Sequence, residues 1–134
     1  GIWKSANSGA SWSTNTDGLE NLGVSDIAFS PSNPTIVYAA TGDRDGGDTY
    51  SFGILKSIDG GNHWQATGLA FNASGKKKIY KIIVHPQNPD IVYAATTFGL
   101  KKTSNGGVSW SQLKAGSYRD IRFKPNDANT LYAA

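Results

Sequence analysis

Short stretches in which apolar and polar residues alternate with a period of two recur along the chain, and each predicts a half-buried β-strand. Between residues 118 and 124, for example, Ile121 and Phe123 alternate with charged or polar residues. The stretch 79–84 is apolar on both faces, which indicates a more deeply buried strand. No segment carries apolar residues at helical spacing over ten residues, so the sequence predicts an all-β chain without helices.

These strands belong to a unit that is repeated along the chain. The sequence Ile36-Val-Tyr-Ala-Ala returns as Ile91-Val-Tyr-Ala-Ala and, more loosely, as Thr130-Leu-Tyr-Ala-Ala. A Pro-x-Asn-Pro segment precedes the first two copies, at 31–34 and 86–89. Because proline lacks an amide donor, we predict that both segments interrupt the hydrogen-bond ladder and form turns.

Each repeat also contains a predicted hairpin turn, in which a glycine is followed 11 residues later by a tryptophan. Aspartate and asparagine side chains accept hydrogen bonds from backbone amides two residues on, and glycine adopts positive φ angles. A hydroxyl group satisfies a further turn amide, and the tryptophan ring packs where the hairpin meets the sheet. The residues of this pattern are Ser5, Asn7, Gly9 and Trp12; Ser57, Asp59, Gly61 and Trp64; and Thr103, Asn105, Gly107 and Trp110.

The order of these elements predicts four short antiparallel strands per unit, which is the blade of a β-propeller. We predict one partial propeller domain over residues 1–134, with repeats at 1–52, 53–98 and 99–134, arranged as a half blade, two full blades and a half blade. Propeller rings contain about 4–8 blades, so the expected partners are the remaining blades of a longer chain, which we favour, or copies of the chain itself. The predicted strands are 24–29, 36–41, 53–57 and 63–67; 79–84, 91–96, 99–103 and 109–113; and 119–123 and 130–133.

Composition narrows the functional classes. The chain has no cysteine, which excludes disulfides and cysteine-based sites, and no run of 18 apolar residues, so no membrane span is predicted. The first repeat carries two basic and six acidic groups, whereas the remainder is basic. Solvated loop charge explains this split most simply, although head-to-tail packing or an anionic polymer would also fit it. The lysine run 76–78 has no interleaved aromatic residues, so we predict no nucleic-acid partner.

The hairpin pattern resembles the Asp-box, or BNR repeat, found in the β-propellers of sialidases, xyloglucan-cleaving glycoside hydrolases and sortilin-type receptors. The full spacing Gly-Ile-Leu-Lys-Ser-x-Asp-Gly-Gly-x-x-Trp, with the strand pair that follows it, looks most like secreted bacterial proteins of the glycosyl-hydrolase type. The resemblance implies an extracellular or cell-surface location in a bacterium. In this family the Asp-box lies on the periphery, so the resemblance gives those residues a structural role.

The segment 41–52 is an insertion, because only Thr96–Phe98 occupies the corresponding place in the next repeat. It carries Asp43, Asp45 and Asp48, whose carboxylates have the chemistry of a Ca²⁺ site. The alternative is an exposed acidic turn that is restrained by its own backbone. No other cofactor is predicted.

Asp43 is also the candidate catalytic residue. The resemblance to xyloglucan-cleaving enzymes implies an aspartate after a Tyr-Ala-x-Thr strand, and Asp43 lies near that position. Glycoside hydrolysis generally requires two carboxyl groups. Asp26 and Asp120 are formal options for the second one, and another blade is the further option.

The principal interpretation of the sequence is an extracellular β-propeller module that binds or scaffolds, recognising a polysaccharide or a protein partner. The first alternative is a fragment of a xyloglucanase-like glycoside hydrolase with Asp43 in its active cleft. The second alternative is a structural repeat of a cell-surface assembly. A second carboxylate facing Asp43 across a cleft would favour the enzyme over the binding module.

Overall fold

The computed structural model describes residues 1–19, 23–45 and 49–134. Within these ranges the regular structure is β, apart from one 3-10 turn at Ala73–Gly75. No helix of the described ranges has the length and apolar character needed to cross a bilayer. The strands are β1 (Trp3–Lys4), β2 (Ser13–Thr14), β3 (Val24–Phe29), β4 (Val37–Thr41), β5 (Gly53–Ser57), β6 (Gln65–Ala70), β7 (Ile79–His85), β8 (Asn88–Thr96), β9 (Gly99–Thr103), β10 (Ser111–Lys114), β11 (Ile121–Lys124) and β12 (Asp127–Ala133).

The strands form two four-stranded antiparallel sheets flanked by two strand pairs. We call β3–β6 blade I and β7–β10 blade II, since in each sheet every strand pairs with its neighbours in sequence. The pair β1–β2 is the first hairpin, and the pair β11–β12 is the last hairpin. This order confirms the predicted β-propeller fragment with a half blade, two full blades and a half blade.

The hydrophobic core lies between the blades. One buried cluster joins Tyr38, Ala40 and Ile54 of blade I to Ile82 and Val84 of blade II. A second cluster joins blade II to Ile121 of the last hairpin. Each of the larger side chains contributes about 1.5–3 kcal/mol through burial, and the alanines let neighbouring sheets approach closely. A single blade therefore cannot bury its own faces, as the repeat pattern predicted.

Polar groups reinforce this junction between the blades. The Tyr38 hydroxyl donates to the Pro89 carbonyl oxygen at 3.0 Å, and burial, with a smaller effect of Asp90, raises the pKa of Tyr38 to about 12. Asp26 on β3 accepts from the Ile82 amide at 2.8 Å and from Lys81 Nζ at 3.1 Å. The Asp26 side chain is only 13% exposed. Asp26 thus links the first strands of the two blades.

The second of the two predicted turns, at 86–89, is formed only by its first two residues. The segment 31–34 forms a turn between β3 and β4, whereas β8 begins at Asn88 and includes Pro89. The register shifts between Val84 and His85, so that His85 faces Asn88 across a tight turn. This irregularity leaves Pro89 where the ladder needs no amide donor, which is where proline is tolerated in a strand.

Successive connections alternate between the two ends of each blade, because every strand runs antiparallel to the one before it. We call the end with connections 42–52, 71–78 and 97–98 the loop face, and the opposite end the turn face. Two backbone hydrogen bonds hold the loop face together, one between the loop of blade I and the connection to blade II, and one within blade II. The Ser51 amide donates to the Lys77 carbonyl oxygen at 3.0 Å, and the Thr97 amide donates to that of Lys78 at 3.0 Å.

Candidate functional site

The repeated turns occupy the turn face and satisfy their own polar groups. In the second copy, Ser57 Oγ accepts from the amides of Asp59 at 3.3 Å and Gly61 at 2.8 Å. Asp59 Oδ1 accepts from the amides of Asn62 at 3.0 Å and His63 at 2.9 Å. The bond to the amide two residues on, which we predicted for the aspartate, is therefore made by the hydroxyl that precedes it.

The third copy has the same network with a neutral side chain. Thr103 Oγ1 accepts from the Gly107 amide at 2.9 Å, and Asn105 Oδ1 accepts from the Ser109 amide at 3.0 Å. In the first copy Ser8 takes the place of the first glycine with a φ of 56°. The Trp64 and Trp110 rings lie half-buried beside their turns, whereas Trp12 is exposed. These are the contacts that a structural role requires, and that role remains a prediction.

Asp59 has a partner that the sequence analysis did not identify. Its Oδ2 lies 2.6 Å from His63 Nδ1. The hydrogen bonds from the His63 side chain and backbone, followed by the one from Ser57, hold the pKa of Asp59 well below its usual range. A depressed pKa means that the ionised carboxylate is favoured in the folded state, so its contribution to stability is present above the unfolded pKa and is lost as the pH falls.

We expect the Asp59→Asn variant to melt slightly below the wild type near pH 7, because the amide oxygen preserves the turn, as at Asn105, but lacks the contribution of the ionised carboxylate. The variant will show a weaker loss of stability than the wild type as the pH falls below about 4, the unfolded pKa of aspartate. Asp59→Ala, which cannot accept from the two amides, will melt below both at pH 7. Thermal melts between pH 2 and 7 measure these effects, and identical acid limbs for wild type and Asp59→Asn would contradict them.

The loop face presents the candidate catalytic residue, Asp43, just beyond the end of β4. Thr41 Oγ1 donates to the Gly53 carbonyl oxygen at 2.7 Å and accepts from the Phe52 amide at 3.1 Å, which fixes the neck of the loop. The Asp43 amide donates to the Thr49 carbonyl oxygen at 2.8 Å, and Asp43 Oδ1 accepts from the Asp45 amide at 2.9 Å. The Asp43 side chain is half-buried and its position is determined by the backbone around it.

The three predicted calcium ligands lie in the segment 41–52. Asp43 and Asp45 lie together in the described part of the loop, and Asp48 lies outside the described residues. Within the ranges that are described, no three acidic or histidine side chains converge as metal ligands would. The calcium site at Asp43, Asp45 and Asp48 stays a prediction.

The two formal partners for Asp43 are engaged elsewhere. Asp26 holds Lys81 and the Ile82 amide between the blades. Asp120 Oδ2 lies 2.7 Å from Arg122 Nε, and this contact, more than any other, lowers the pKa of Asp120. Both carboxylates are accounted for by these contacts, and neither faces Asp43.

A cluster of lysines and aromatic rings lies beside this loop, where the sequence analysis favoured solvated loop charge. Lys77 Nζ is 4.9 Å from the Phe71 ring centroid and 5.0 Å from that of Phe98. Lys101 Nζ is 5.0 Å from the same Phe98 ring, and burial followed by repulsion from Lys77 lowers the pKa of Lys101. The ring contacts of Lys77 hold the connection 71–78 in place. The Lys77 carbonyl oxygen in turn accepts from the Ser51 amide, so the same connection supports the loop that carries Asp43.

An apolar cavity of about 260 Å³ lies between the first hairpin and blade I, away from the loop face. Its walls include Trp3, Ile27, Phe29 and Trp64. At the equivalent places in blade II, Ile82 and Val84 are buried against blade I. The cavity is therefore the uncovered stacking face of a blade, and we do not assign it a ligand.

The sequence of this chain is similar to parts of known xyloglucanases. No family model matches the chain. It is 31% identical over 140 aligned residues to a xyloglucanase of Hypocrea jecorina (strain QM6a), covering 92% of this chain and 16% of that enzyme. It is 32% identical over 123 residues to a xyloglucanase of a Paenibacillus species, covering 83% of this chain and 12% of that enzyme.

Solved structures agree on the fold. An ancestral GH74 enzyme aligns with a TM-score of 0.69 at 27% identity, over 100% of this chain and 15% of that chain. The GH74 xyloglucanase of Xanthomonas campestris aligns with a TM-score of 0.61 at 13% identity, over 83% of this chain and 20% of that chain. The chain thus spans a small part of the length of each relative that it matches.

Proposed function

We propose that this chain forms part of the substrate cleft of a glycoside hydrolase acting on xyloglucan. The xyloglucanase relatives support a β-propeller family of glycosyl-hydrolase type, and the proposal starts from that family. The observation that carries the proposal is the 31% identity to a xyloglucanase over 92% of the chain. The comparisons favour this reading, the first alternative from the sequence, over the binding or scaffolding module that was our principal interpretation.

Asp43 is the residue of this chain that we place in the cleft. The insertion that carries it lies on the loop face, and its neck is fixed by Thr41 and the Ser51 amide. In our proposal the Asp43 carboxyl is one of the two acid groups that glycoside hydrolysis requires: it protonates the glycosidic oxygen as acid, takes a proton from the attacking water as base, or attacks the anomeric carbon as nucleophile. The second carboxyl belongs to another blade.

Further blades of a longer chain are the proposed partners. Ile27 and Phe29 on β3 are 39% and 59% exposed, whereas their counterparts Ile82 and Val84 are 1% and 5% exposed. The same positions are thus buried once a preceding blade covers them. We assign the repeated turns to Asp-boxes of the repeats 1–52, 53–98 and 99–134, and we place the protein outside a bacterial cell, as the resemblance of its hairpin pattern to secreted bacterial proteins implies.

The test is to assay the natural protein that carries this chain on xyloglucan and on an unsubstituted β-glucan. We expect reducing ends to be released from xyloglucan, at a rate that exceeds that on the plain glucan. Retardation in a xyloglucan gel without release of reducing ends would support a binding module instead. Neither binding nor hydrolysis would favour a structural repeat of a surface assembly.

A further inference from the structure

One lysine contact recurs at both complete junctions between neighbouring units. Lys4 Nζ on β1 donates to the carbonyl oxygen of Gly60, in the turn of blade I, at 3.1 Å. Lys56 Nζ on β5 donates to the carbonyl oxygen of Gly106, in the turn of blade II, at 3.0 Å. Lys4 and Lys56 hold the same place in their repeats, and so do Gly60 and Gly106. Each lysine thus reaches from one unit to the first glycine of the next turn.

The receiving peptide is fixed from its other side as well. The Gly60 amide donates to the Thr35 carbonyl oxygen at 2.8 Å, and the Gly106 amide donates to that of Asp90 at 3.0 Å. The turn is therefore held within its own blade by the glycine amide and to the preceding unit by the glycine carbonyl. A hydrogen bond from a charged donor is stronger than one between neutral groups. The lysine therefore helps to fix the position of each blade relative to the next one.

Lys102 occupies the same place on blade II. It pairs with Tyr93 across β8 and β9 as Lys56 pairs with Tyr38 across β4 and β5. Lys102 Nζ lies 5.5 Å from the Tyr93 ring centroid, and Lys56 Nζ lies 5.5 Å from that of Tyr38. The ammonium group is thus poised in the same way as its counterpart, but no carbonyl acceptor for it occurs among the described residues.

We infer that Lys102 and Tyr93 form a docking surface for the turn of a further blade of this repeat, and that Lys102 Nζ donates to the carbonyl oxygen of the first glycine position in that turn. The occupant is the outer strand pair that completes the sheet begun by β11 and β12 in a longer chain. Two junctions with the same contact support this occupant, and so does the 15% share of the ancestral GH74 chain that this chain covers. The inference rests on the further blades in our proposed function.

Amine labelling of the natural protein tests this contact directly. Lys56, whose side chain is 21% exposed at its junction, is the internal standard for a docked amine, and the exposed Lys114 is the control for a free one. We expect Lys102 to react under native conditions at a rate close to that of Lys56 and about tenfold below that of Lys114, because docking protects the amine. The Tyr93 ring alone covers one side of the amine and would not give this protection.

Labelling of Lys102 as fast as that of Lys114 would overturn the inference. Protection that appears only at high protein concentration would show that the acceptor comes from a second copy, which would overturn the occupant we chose. As a second measurement, we expect Lys102→Met to lower the melting temperature about as much as Lys56→Met and more than Lys114→Met. A protein that fails to hydrolyse xyloglucan yet protects Lys102 would contradict the proposed activity and leave the docking surface standing.

Discussion

Replacing Asp43 with asparagine is expected to lower the hydrolysis of xyloglucan by the natural protein by about 10²–10⁴-fold, the usual contribution of a positioned acid or base. The amide is close in shape to the carboxylate but neither takes up nor releases a proton at neutral pH. The loop itself will persist, because an asparagine oxygen still accepts from the Asp45 amide, the 2.9 Å contact of Asp43 Oδ1. Initial rates of reducing-end release, measured at saturating substrate, give the effect on kcat.

The matched control is Asp90→Asn, which removes the same charge on the opposite, turn face of the blades. Asp90 is 55% exposed and contacts Lys56 at 3.8 Å, so its loss costs at most about 1 kcal/mol of stability. We expect that control to keep its activity and to melt close to the wild type. Full activity in Asp43→Asn, or equal losses in both variants, would remove Asp43 from the catalytic machinery.

The strand pattern was predictable because the same structural unit occurs three times in the sequence, so that each copy checks the strand bounds of the others. The bounds of β5 and β9 match the predicted 53–57 and 99–103, since a glycine and a hydroxyl residue mark their ends. The fourth strands begin two residues later than predicted, at Gln65 and Ser111. The turn delays them, because its Asp or Asn oxygen accepts from an amide four residues on. Side-chain chemistry of the turn, which the alternation pattern does not report, sets that boundary.

The contacts between blades were the part that sequence reasoning missed. Lys77 belongs to a lysine run that, taken locally, indicates solvated charge. Of its partners, Phe71 lies in the same connection but Phe98 lies in the connection between β8 and β9, so no local pattern links all three residues. The lysine at the fourth position of each Gly-led run was visible as a repeat, but its acceptor lies in the turn of the next unit. A repeated residue whose partner is one repeat further along is a signal for such junctions.

Gly53→Ala is expected to lower the free energy of unfolding by about 2–5 kcal/mol, which combines the cost of a left-handed residue with that of steric overlap. Gly53 begins β5 with a φ of 127°, and an added Cβ would overlap the Leu69 carbonyl oxygen and lie 2.8 Å from Ala70 Cα. These are backbone atoms of the paired strand β6, which cannot move away without losing its pairing. The free energy of unfolding of a native protein is typically about 5–15 kcal/mol. The expected loss is therefore a large fraction of the stability of the chain.

Gly60→Ala separates the two causes. Gly60 has a φ of 70°, but an added Cβ would meet nothing within 4 Å, so only the backbone cost of about 1–2 kcal/mol remains. Urea denaturation followed by tryptophan fluorescence should therefore rank wild type above Gly60→Ala and Gly60→Ala above Gly53→Ala, and a Gly53→Ala chain that does not fold fits the same order. Equal losses in the two variants would mean that β6 can shift away from β5, and that the close approach at Gly53 does not hold the blade in register.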